Sequence, residues 1–165
     1  MRVFAFLLIA LLSADAAVAQ TPLERAEKDE LAFIDDDHPD LVIAMRKVRA
    51  TLSDFLALAR SPRRSTSAFT VKVAVREDGK AEYFWITDFA GKAGRFSGRI
   101  DNIPRIVKRV RQDEIITFAE NDIVDWVYMD RGRMKGNFTG CALLKQEPKA
   151  DADAFKKRFG LQCDF

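Results

Sequence analysis

Residues 69–87 read FTVKVAVREDGKAEYFWIT and carry the strongest local signal in the chain. The first part of this stretch alternates apolar residues with polar or small ones, as in a β-strand with one buried face. The Asp78-Gly79 pair predicts a tight hairpin turn, because both residue types tolerate positive φ. The return strand, residues 81–87, has apolar side chains on both faces. We therefore expect it to lie centrally and to be covered on both sides.

One long amphipathic helix is predicted before this hairpin. Its apolar residues are spaced alternately by four and three positions, which places them along one helical face. They are Leu41, Met45, Val48, Leu52, Phe55 and Ala59. Pro39 suits the first turn of this helix, with His38 or Asp40 as its cap. The proline that follows Ser61 ends the helix.

Short strands are predicted after the hairpin, at residues 96–100, 115–118 and 123–129. Residues 133–144 are predicted as a last strand, in which Gly136 and Gly140 mark a bulge or a close approach of two backbones. Residues 105–111, which precede the fourth strand, fit one or two turns of helix.

The C-terminal segment is predicted to form a compact helix, capped by Asp151 and ended by Gly160. Phe155 and Phe159 lie four positions apart and therefore share one face of it. Together these elements predict an α+β fold. An antiparallel sheet of about five to six strands is packed by one long N-terminal helix, and a short C-terminal helix completes the domain.

Residues 1–19 have the features of a signal peptide: a basic second residue, a short apolar run and an A-x-A motif that ends at Ala19. The apolar run is too short for a stable membrane anchor. We expect cleavage after Ala19 and export to the periplasm or beyond, with no integral membrane anchor in the mature chain. The predicted division is a signal peptide at 1–19, an N-terminal arm at 20–38 and a single α+β domain at 39–165.

Cys141 and Cys163 are the only cysteines in the sequence. In an oxidising compartment an even number of cysteines usually indicates a disulfide. This pair would tie the C-terminal helix to the last strand, and the chain-entropy model gives it roughly 3 kcal/mol of stabilisation. A catalytic thiol would need a histidine or a basic neighbour to lower its pKa, and residues 138–143 supply neither.

The charge balance and the histidine count exclude several classes of function. Lys and Arg number 27 and Asp and Glu number 25, so the net charge is +2 and no strong positive field points to nucleic acid. One histidine and two cysteines rule out a histidine-rich metal site and a four-cysteine zinc site. The G-x-S-x-G, phosphate-loop and H-E-x-x-H motifs are absent from the sequence. We expect neither a metal nor a cofactor.

Two charged clusters admit more than one interpretation. The acidic run Asp35–Asp40 offers oxygen ligands for a weak cation site, but it lacks the spacing of a calcium loop. The simpler interpretation is an acidic segment facing the positive end of a helix dipole. A basic patch of Arg105, Lys108, Arg109 and Arg111 either binds anionic groups or is a solvated surface. On a helix the first three would share one face.

Aromatic and polar residues on the predicted strands are candidate functional residues. The aromatic set either lines a recognition groove or belongs to the core. It comprises Tyr83, Trp85, Trp126 and Tyr128. The polar set suits acid–base chemistry if its members converge and structural pairing if they do not. It comprises Lys72, Glu82, Asn102 and Asp125.

Five segments between Asp40 and Gly140 carry a resemblance to a known family. They are DLVIAMRKVRATLSDFLAL, FTVKVAV, EYFWITD, RFSGRIDNIP and IVDWVYMDRGRMKGNFTG. In their order and spacing they resemble a bacterial family known as domain of unknown function 2314, the YegJ-like proteins. The tail GLQCDF looks like that of exported members of the family.

The resemblance implies an α+β fold with an antiparallel sheet, and it brings no established activity. The residues that fall on family positions are Lys72, Glu82, Trp85, Asn102, Pro104, Asp125, Trp126, Gly136 and Thr139. Apart from Pro104 and Gly136, these are our candidate binding residues.

Three functions remain open at the level of sequence. The first and favoured one is a non-catalytic binding or inhibitor module in the periplasm, whose partner is an envelope protein or a small ligand. The second is an enzyme that acts on cell-envelope material through Lys72, Glu82 or Asp125, which requires these side chains to converge. The third is a structural or stress protein of the envelope.

Overall fold

A computed structural model describes residues 20–22, 24 and 38–163. The predicted signal peptide, most of the predicted N-terminal arm and Asp35–Asp37 of the acidic run lie outside the described residues. Within residues 38–163 the chain forms one six-stranded antiparallel sheet, a long N-terminal helix and two shorter helices. The predicted α+β fold is therefore confirmed.

The elements follow in this order: α1 (Pro39–Arg60), β1 (Thr66–Glu77), β2 (Lys80–Lys92), β3 (Arg95–Ile100), β4 (Ile115–Ala119), a 3-10 turn (Glu120–Asp122), β5 (Ile123–Asp130), β6 (Arg133–Gly136), α2 (Phe138–Leu144) and α3 (Lys149–Phe159). The strand order across the sheet is β4-β3-β2-β1-β5-β6, and all neighbours are antiparallel. None of the helices in this part of the chain is long and apolar enough to cross a membrane.

The predicted hairpin forms the centre of the sheet. Asp78 and Gly79 have φ of 49° and 74°, so both central turn residues are left-handed. Such a turn matches the twist of the two strands that it joins. β1 and β2 then pair from Glu77 opposite Lys80 to Val71 opposite Ile86. This register places alternate residues of both strands on the same face.

Helix α1 supplies much of the core on one face of this sheet. It begins as predicted, since His38 caps it and Nδ1 of that residue accepts a hydrogen bond from the Asp40 amide at 3.3 Å. The middle of its apolar stripe, Val48, Leu52 and Phe55, is buried. These side chains belong to one core with Val71, Val73, Phe84 and Ile86 of the hairpin.

The predicted last strand, residues 133–144, is wrong beyond Gly136. The chain leaves the sheet through two residues with positive φ, Gly136 at 86° and Asn137 at 55°. A Cβ at position 136 would lie 2.0 Å from the carbonyl oxygen of Trp126, so only glycine fits there. Residues 138–144 form helix α2 instead of continuing the strand.

The predicted disulfide between Cys141 and Cys163 is present, with the two Cα atoms 5.6 Å apart. Because Cys141 lies on α2, the bond joins a helix, and not the last strand, to the chain that follows α3. Leu144, Ala152 and Leu161 pack around it as a second, smaller core. Helix α3 ends at Gly160 as predicted, but its N-cap position is Pro148, with no capping bond from a side chain, and Asp151 lies inside the first turn.

Residues 105–111 do not form the helix that their pattern allows. Carboxylates from the central hairpin accept hydrogen bonds from the backbone amides of this segment. Glu82 takes those of residues 105–107, and Glu77 Oε2 takes that of Lys108 at 2.5 Å. Arg105, Lys108 and Arg109 therefore do not share a helical face.

Candidate functional site

Lys72, Trp85 and Asp125 share the sheet face opposite the core. Lys72 is the register partner of Trp85 on β2 and of Asp125 on β5. Their neighbours along the strands, such as Val71 and Trp126, point the other way into the core. Three of the candidate residues therefore converge because they lie side by side on three adjacent strands.

Asp125 is fully buried and binds the start of helix α2. Its Oδ1 accepts hydrogen bonds from the amides of Trp126 at 2.8 Å and Phe138 at 3.2 Å. Its Oδ2 accepts from the Thr139 amide at 2.7 Å and from the Thr139 hydroxyl at 2.6 Å. The residue before α2, Asn137, makes no capping bond with its side chain. Asp125 lies on β5 but accepts the hydrogen bonds of the first amides of α2, as an N-cap residue would. This explains why α2 begins at Phe138.

The Thr139 hydroxyl bridges Asp125 and Lys72. Lys72 Nζ donates to Thr139 Oγ1 at 2.8 Å, and Thr139 Oγ1 in turn donates to Asp125 Oδ2. Lys72 Nζ also lies 4.6 Å from the centre of the Trp85 ring, within range of a cation–π interaction. We call Lys72, Thr139 and Asp125 the polar relay.

Burial and charge act in opposite directions on the two ends of the polar relay. Burial lowers the pKa of the Lys72 ammonium, and the Asp125 carboxylate opposes this shift. Burial raises the pKa of Asp125, against the effects of Lys72 and of the hydrogen bonds that the carboxyl accepts. The four groups bonded to Asp125 are all donors, as an ionised carboxylate requires. The positive charge of Lys72 and the negative charge of Asp125 therefore offset each other within the polar relay.

A groove of about 830 Å³ opens above Lys72 and Trp85. Its apolar walls come from α1, β2, α2 and α3, and include Leu41, Met45, Tyr83, Trp85, Leu143, Phe155 and Phe159. We call it the relay groove, because Lys72 and Thr139 contribute to its lining. A mostly apolar concavity with a few polar groups is typical of binding sites in proteins.

Lys72 is the polar group of the relay that can meet a ligand. A lysine ammonium has three N–H donors, and among the described residues its hydrogen bond is to Thr139. Donors therefore remain for a ligand oxygen in the relay groove. The Thr139 hydroxyl is only slightly exposed and is engaged on both sides, so it is placed to hold Lys72 and not to attack a substrate.

Glu82 contributes to the lining of the relay groove but does not join the polar relay. It is the register partner of Val75, so its side chain lies on the core face, opposite Lys72. Its Oε1 accepts from the Arg105 amide at 2.8 Å, and its Oε2 accepts from the amides of Ile106 and Val107, both at 2.9 Å. The acid–base set of Lys72, Glu82 and Asp125 therefore does not converge.

Asn102 and Trp126 have other positions. Asn102 lines the relay groove, and its Oδ1 accepts a hydrogen bond from the Trp85 amide at 2.7 Å, which holds the chain after β3 against β2. Trp126 is only 7% exposed and stacks on Phe55, with 4.8 Å between the ring centres. It lies in the core, so of the two tryptophans only Trp85 reaches the groove.

Sequence reasoning missed the groove walls that α2 and α3 provide. Phe155 and Phe159 were recognisable as one face of a helix, but nothing local indicates which surface that face meets. His38, the one histidine of the sequence, caps α1. Within the described ranges, no group of three or more His, Cys, Asp or Glu side chains is placed to hold a metal ion.

Comparison with known proteins gives the family. Residues 38–163 match the model of the family described as "Uncharacterized protein conserved in bacteria (DUF2314)". The chain is 30% identical over 115 residues to "Uncharacterized protein YegJ" of Escherichia coli (strain K12), an alignment that covers 70% of this chain and 74% of that protein. No solved structure matches the chain. The match extends from the cap of α1 to Cys163 and includes the whole polar relay, so the chain belongs to the DUF2314 family of bacterial proteins.

Proposed function

We propose that the protein is a non-catalytic binding module and that the relay groove is its binding site. The observation that carries this proposal is the position of Lys72, whose ammonium lies beside Trp85 at a mostly apolar groove with donors to spare. Apolar walls supply affinity, and one fixed donor supplies orientation. The partner that suits this site is an envelope protein or a small ligand that presents an oxygen acceptor within an apolar surface.

We further propose that the module acts in the periplasm after cleavage behind Ala19. The basic second residue, apolar run and A-x-A motif of residues 1–19 support this. The Cys141–Cys163 disulfide supports it as well, because such bonds persist in oxidising compartments. Expression of the full-length gene, followed by cell fractionation and N-terminal sequencing, tests this directly. A chain found uncleaved in the cytoplasm would contradict it.

Affinity capture tests the binding function. The purified protein is immobilised, and native envelope extract is passed over it beside the Lys72→Met and Trp85→Ala variants. Lys80→Met serves as the matched control, because Lys80 is an exposed lysine on the central hairpin that lies outside the groove lining. Circular dichroism first establishes that each variant is folded.

The expected result is a partner held by the parent and by Lys80→Met but lost from both groove variants. This partner is then identified, purified and shown to bind the parent alone. Equal retention by parent and groove variants, or no specific retention, would contradict binding through the relay groove.

The enzymatic alternative has less support. Acid–base chemistry through Lys72, Glu82 and Asp125 requires side chains within reach of one substrate, whereas Glu82 lies on the other face of the sheet. Asp125 is enclosed by four donors, so its lone pairs are already used. We therefore assign these carboxylates structural roles in the proposal.

A further inference from the structure

Lys72 has more N–H groups than hydrogen-bond acceptors around it. Its ammonium carries three N–H groups, and among the described residues the acceptor that it meets is the Thr139 hydroxyl. The ring of Trp85, whose centre lies 4.6 Å away, attracts the positive charge as a whole. The other N–H groups of the ammonium therefore lie beside a mostly apolar groove without an acceptor from these residues, an arrangement that raises the free energy of the folded protein.

We propose that Lys72 forms an imine with the carbonyl carbon of an apolar aldehyde or ketone bound in the relay groove. This inference rests on the proposed function, because it names the class of small ligand that the same groove would hold. A protonated imine has a single N–H group, which can donate to Thr139 Oγ1 as the ammonium does now. The N–H groups that lack an acceptor are removed by the reaction.

The step balances in atoms and in charge. The Lys72 ammonium first releases one proton to water, which leaves a lone pair on Nζ. This lone pair forms a C–N bond to the carbonyl carbon, and the carbonyl oxygen takes up one proton from Nζ and one from water. The C–O bond then breaks and water leaves, so an ammonium and a carbonyl compound become a protonated imine and water. The Asp125 carboxylate, whose charge acts on Lys72, offsets the same single positive charge before and after the step.

The surroundings of Lys72 favour this reaction over the same reaction at an exposed lysine. Burial lowers the pKa of the Lys72 ammonium despite the nearby Asp125 carboxylate, so at a given pH more of it is in the nucleophilic amine form. The bond to Thr139 fixes Nζ at the groove. Water reverses imine formation, and a mostly apolar lining keeps water away from the product.

The groove walls define the rest of the ligand. Tyr83 and Trp85 contribute aromatic rings from β2, and Phe155 and Phe159 contribute rings from α3. These walls suit a ligand with an aromatic or aliphatic body, whose carbonyl group is the polar part that meets Lys72. A carbonyl compound that also carries a carboxylate would lose the solvation of that charge among apolar side chains. The ligand class is therefore an uncharged carbonyl compound with an apolar body.

Reductive trapping tests this inference. The purified, oxidised protein is incubated with benzaldehyde, the apolar probe, in the presence of sodium cyanoborohydride, which reduces an imine to a stable secondary amine. Proteolysis and mass spectrometry then measure the benzyl adduct at each lysine. Glyoxylate serves as the charged probe. Lys80, which is exposed on the same hairpin and lies outside the groove lining, is the internal reference.

The expected result is selective labelling of Lys72. Benzaldehyde should label Lys72 about tenfold faster than Lys80, because burial of a phenyl group strengthens binding by about that factor or more. Glyoxylate should show no preference for Lys72, and unfolding in urea should abolish the preference of benzaldehyde. Equal or slower labelling of Lys72 by benzaldehyde would overturn the inference. An equal preference for Lys72 with both probes would overturn the apolar ligand class.

A competitor without the carbonyl group determines whether the aldehyde reacts from the groove. Benzyl alcohol has the same ring as benzaldehyde but forms no imine. In excess it should slow the labelling of Lys72 and leave that of Lys80 unchanged. If neither rate changes, the idea of a bound aldehyde is wrong.

Lys72→Arg separates this inference from the proposed function, because arginine keeps the positive charge and the N–H donors but is not trapped as an imine under these conditions. Capture from envelope extract that is lost in Lys72→Met but retained in Lys72→Arg, without selective labelling of the parent, would refute the imine alone. Selective labelling of Lys72, together with conversion of free aldehyde to another product in the absence of reductant, would refute the non-catalytic function alone.

Discussion

Glu82 and Asp125 are two buried carboxylates on opposite faces of the same sheet. Each accepts hydrogen bonds from backbone amides that are distant in sequence: Glu82 from residues 105–107 and Asp125 from residues 138 and 139. Asp125 also has a cation nearby, linked through the Thr139 hydroxyl. Glu82 therefore fixes a loop, whereas Asp125 fixes a helix and connects it to the relay groove.

The comparison shows that backbone amides can satisfy the hydrogen-bond acceptors of a buried carboxylate as completely as a salt bridge does. Two acidic residues on strands are equivalent in a sequence, yet their roles differ according to what lies on their face of the sheet. The difference can be tested by removing each interaction in turn and asking which region responds.

Asp125→Ala should destabilise the protein most. It leaves three buried amides and the Thr139 hydroxyl without this acceptor, and it leaves Lys72 without its counter-charge. Breaking a buried charged pair in this way typically removes about 3–5 kcal/mol from the free energy of unfolding. Urea unfolding followed by circular dichroism measures the change. A loss below about 1 kcal/mol would mean that α2 does not depend on this carboxylate.

Replacing Cys141 and Cys163 by alanine should have the next largest effect. The disulfide encloses a loop with a sequence separation of 22, for which the chain-entropy model gives roughly 3 kcal/mol. The bond holds α2, so amide hydrogen exchange should accelerate at Thr139, whose amide is bound by Asp125. Exchange at Val107, whose amide is bound by Glu82, should change little. Equal acceleration at both amides would show that the two regions are not independent.

Glu82→Gln should reduce the free energy of unfolding by about 2 kcal/mol, because the glutamine amide group turns a donor toward backbone amides that also donate. Faster hydrogen exchange should be confined to residues 105–107. The indole signal of Trp85 in a proton–nitrogen NMR spectrum should stay in place, since the side chains of Glu82 and Trp85 lie on opposite faces of the sheet. A shift of that signal would contradict the separation of the two faces.

The smallest expected effect is on how the free energy of unfolding depends on pH. It distinguishes the buried Lys72 from lysines that are exposed to solvent. Its pKa in the folded protein is lowered by burial from the ordinary value of 10.5. Between the folded and unfolded values, the unfolded chain binds more protons, so the free energy of unfolding rises with pH in that window. The difference in this free energy between the parent and Lys72→Met should therefore increase from neutral pH toward 10.5 and then level off. A constant difference across the alkaline range would contradict a desolvated Lys72.

Local patterns predicted the central hairpin and α1 correctly because both elements are determined by neighbouring residues. The Asp78-Gly79 turn and the regular spacing of apolar residues in α1 need no distant partner. The same patterns failed at residues 105–111 and 138–144. In both segments the backbone amides are bound by carboxylates from distant strands, so the decisive interaction is absent from the local sequence.

The candidate site could be predicted only in part for the same reason. Lys72, Trp85 and Asp125 were recognisable as polar or aromatic residues on strands, but their convergence depends on which strands are neighbours. Thr139 entered only through the family resemblance. Its role is evident only in the structure, where α2 begins beside Asp125 and the Thr139 hydroxyl binds that carboxylate. The place of Pro22 in the groove lining had no signal in the sequence, because the other walls of the groove come from four separate elements.

The strand order also predicts an order of events during folding. β1 to β4 are neighbours in the chain and in the sheet, so they can form as a local meander with little loop-closure entropy. β5 must return past three strands to pair with β1, where Lys72 meets Asp125. Only then can the Asp125 carboxylate start α2 and bring Cys141 into place. A refolding molecule should therefore acquire its meander first and its relay groove last, with disulfide formation as the marker of the final step.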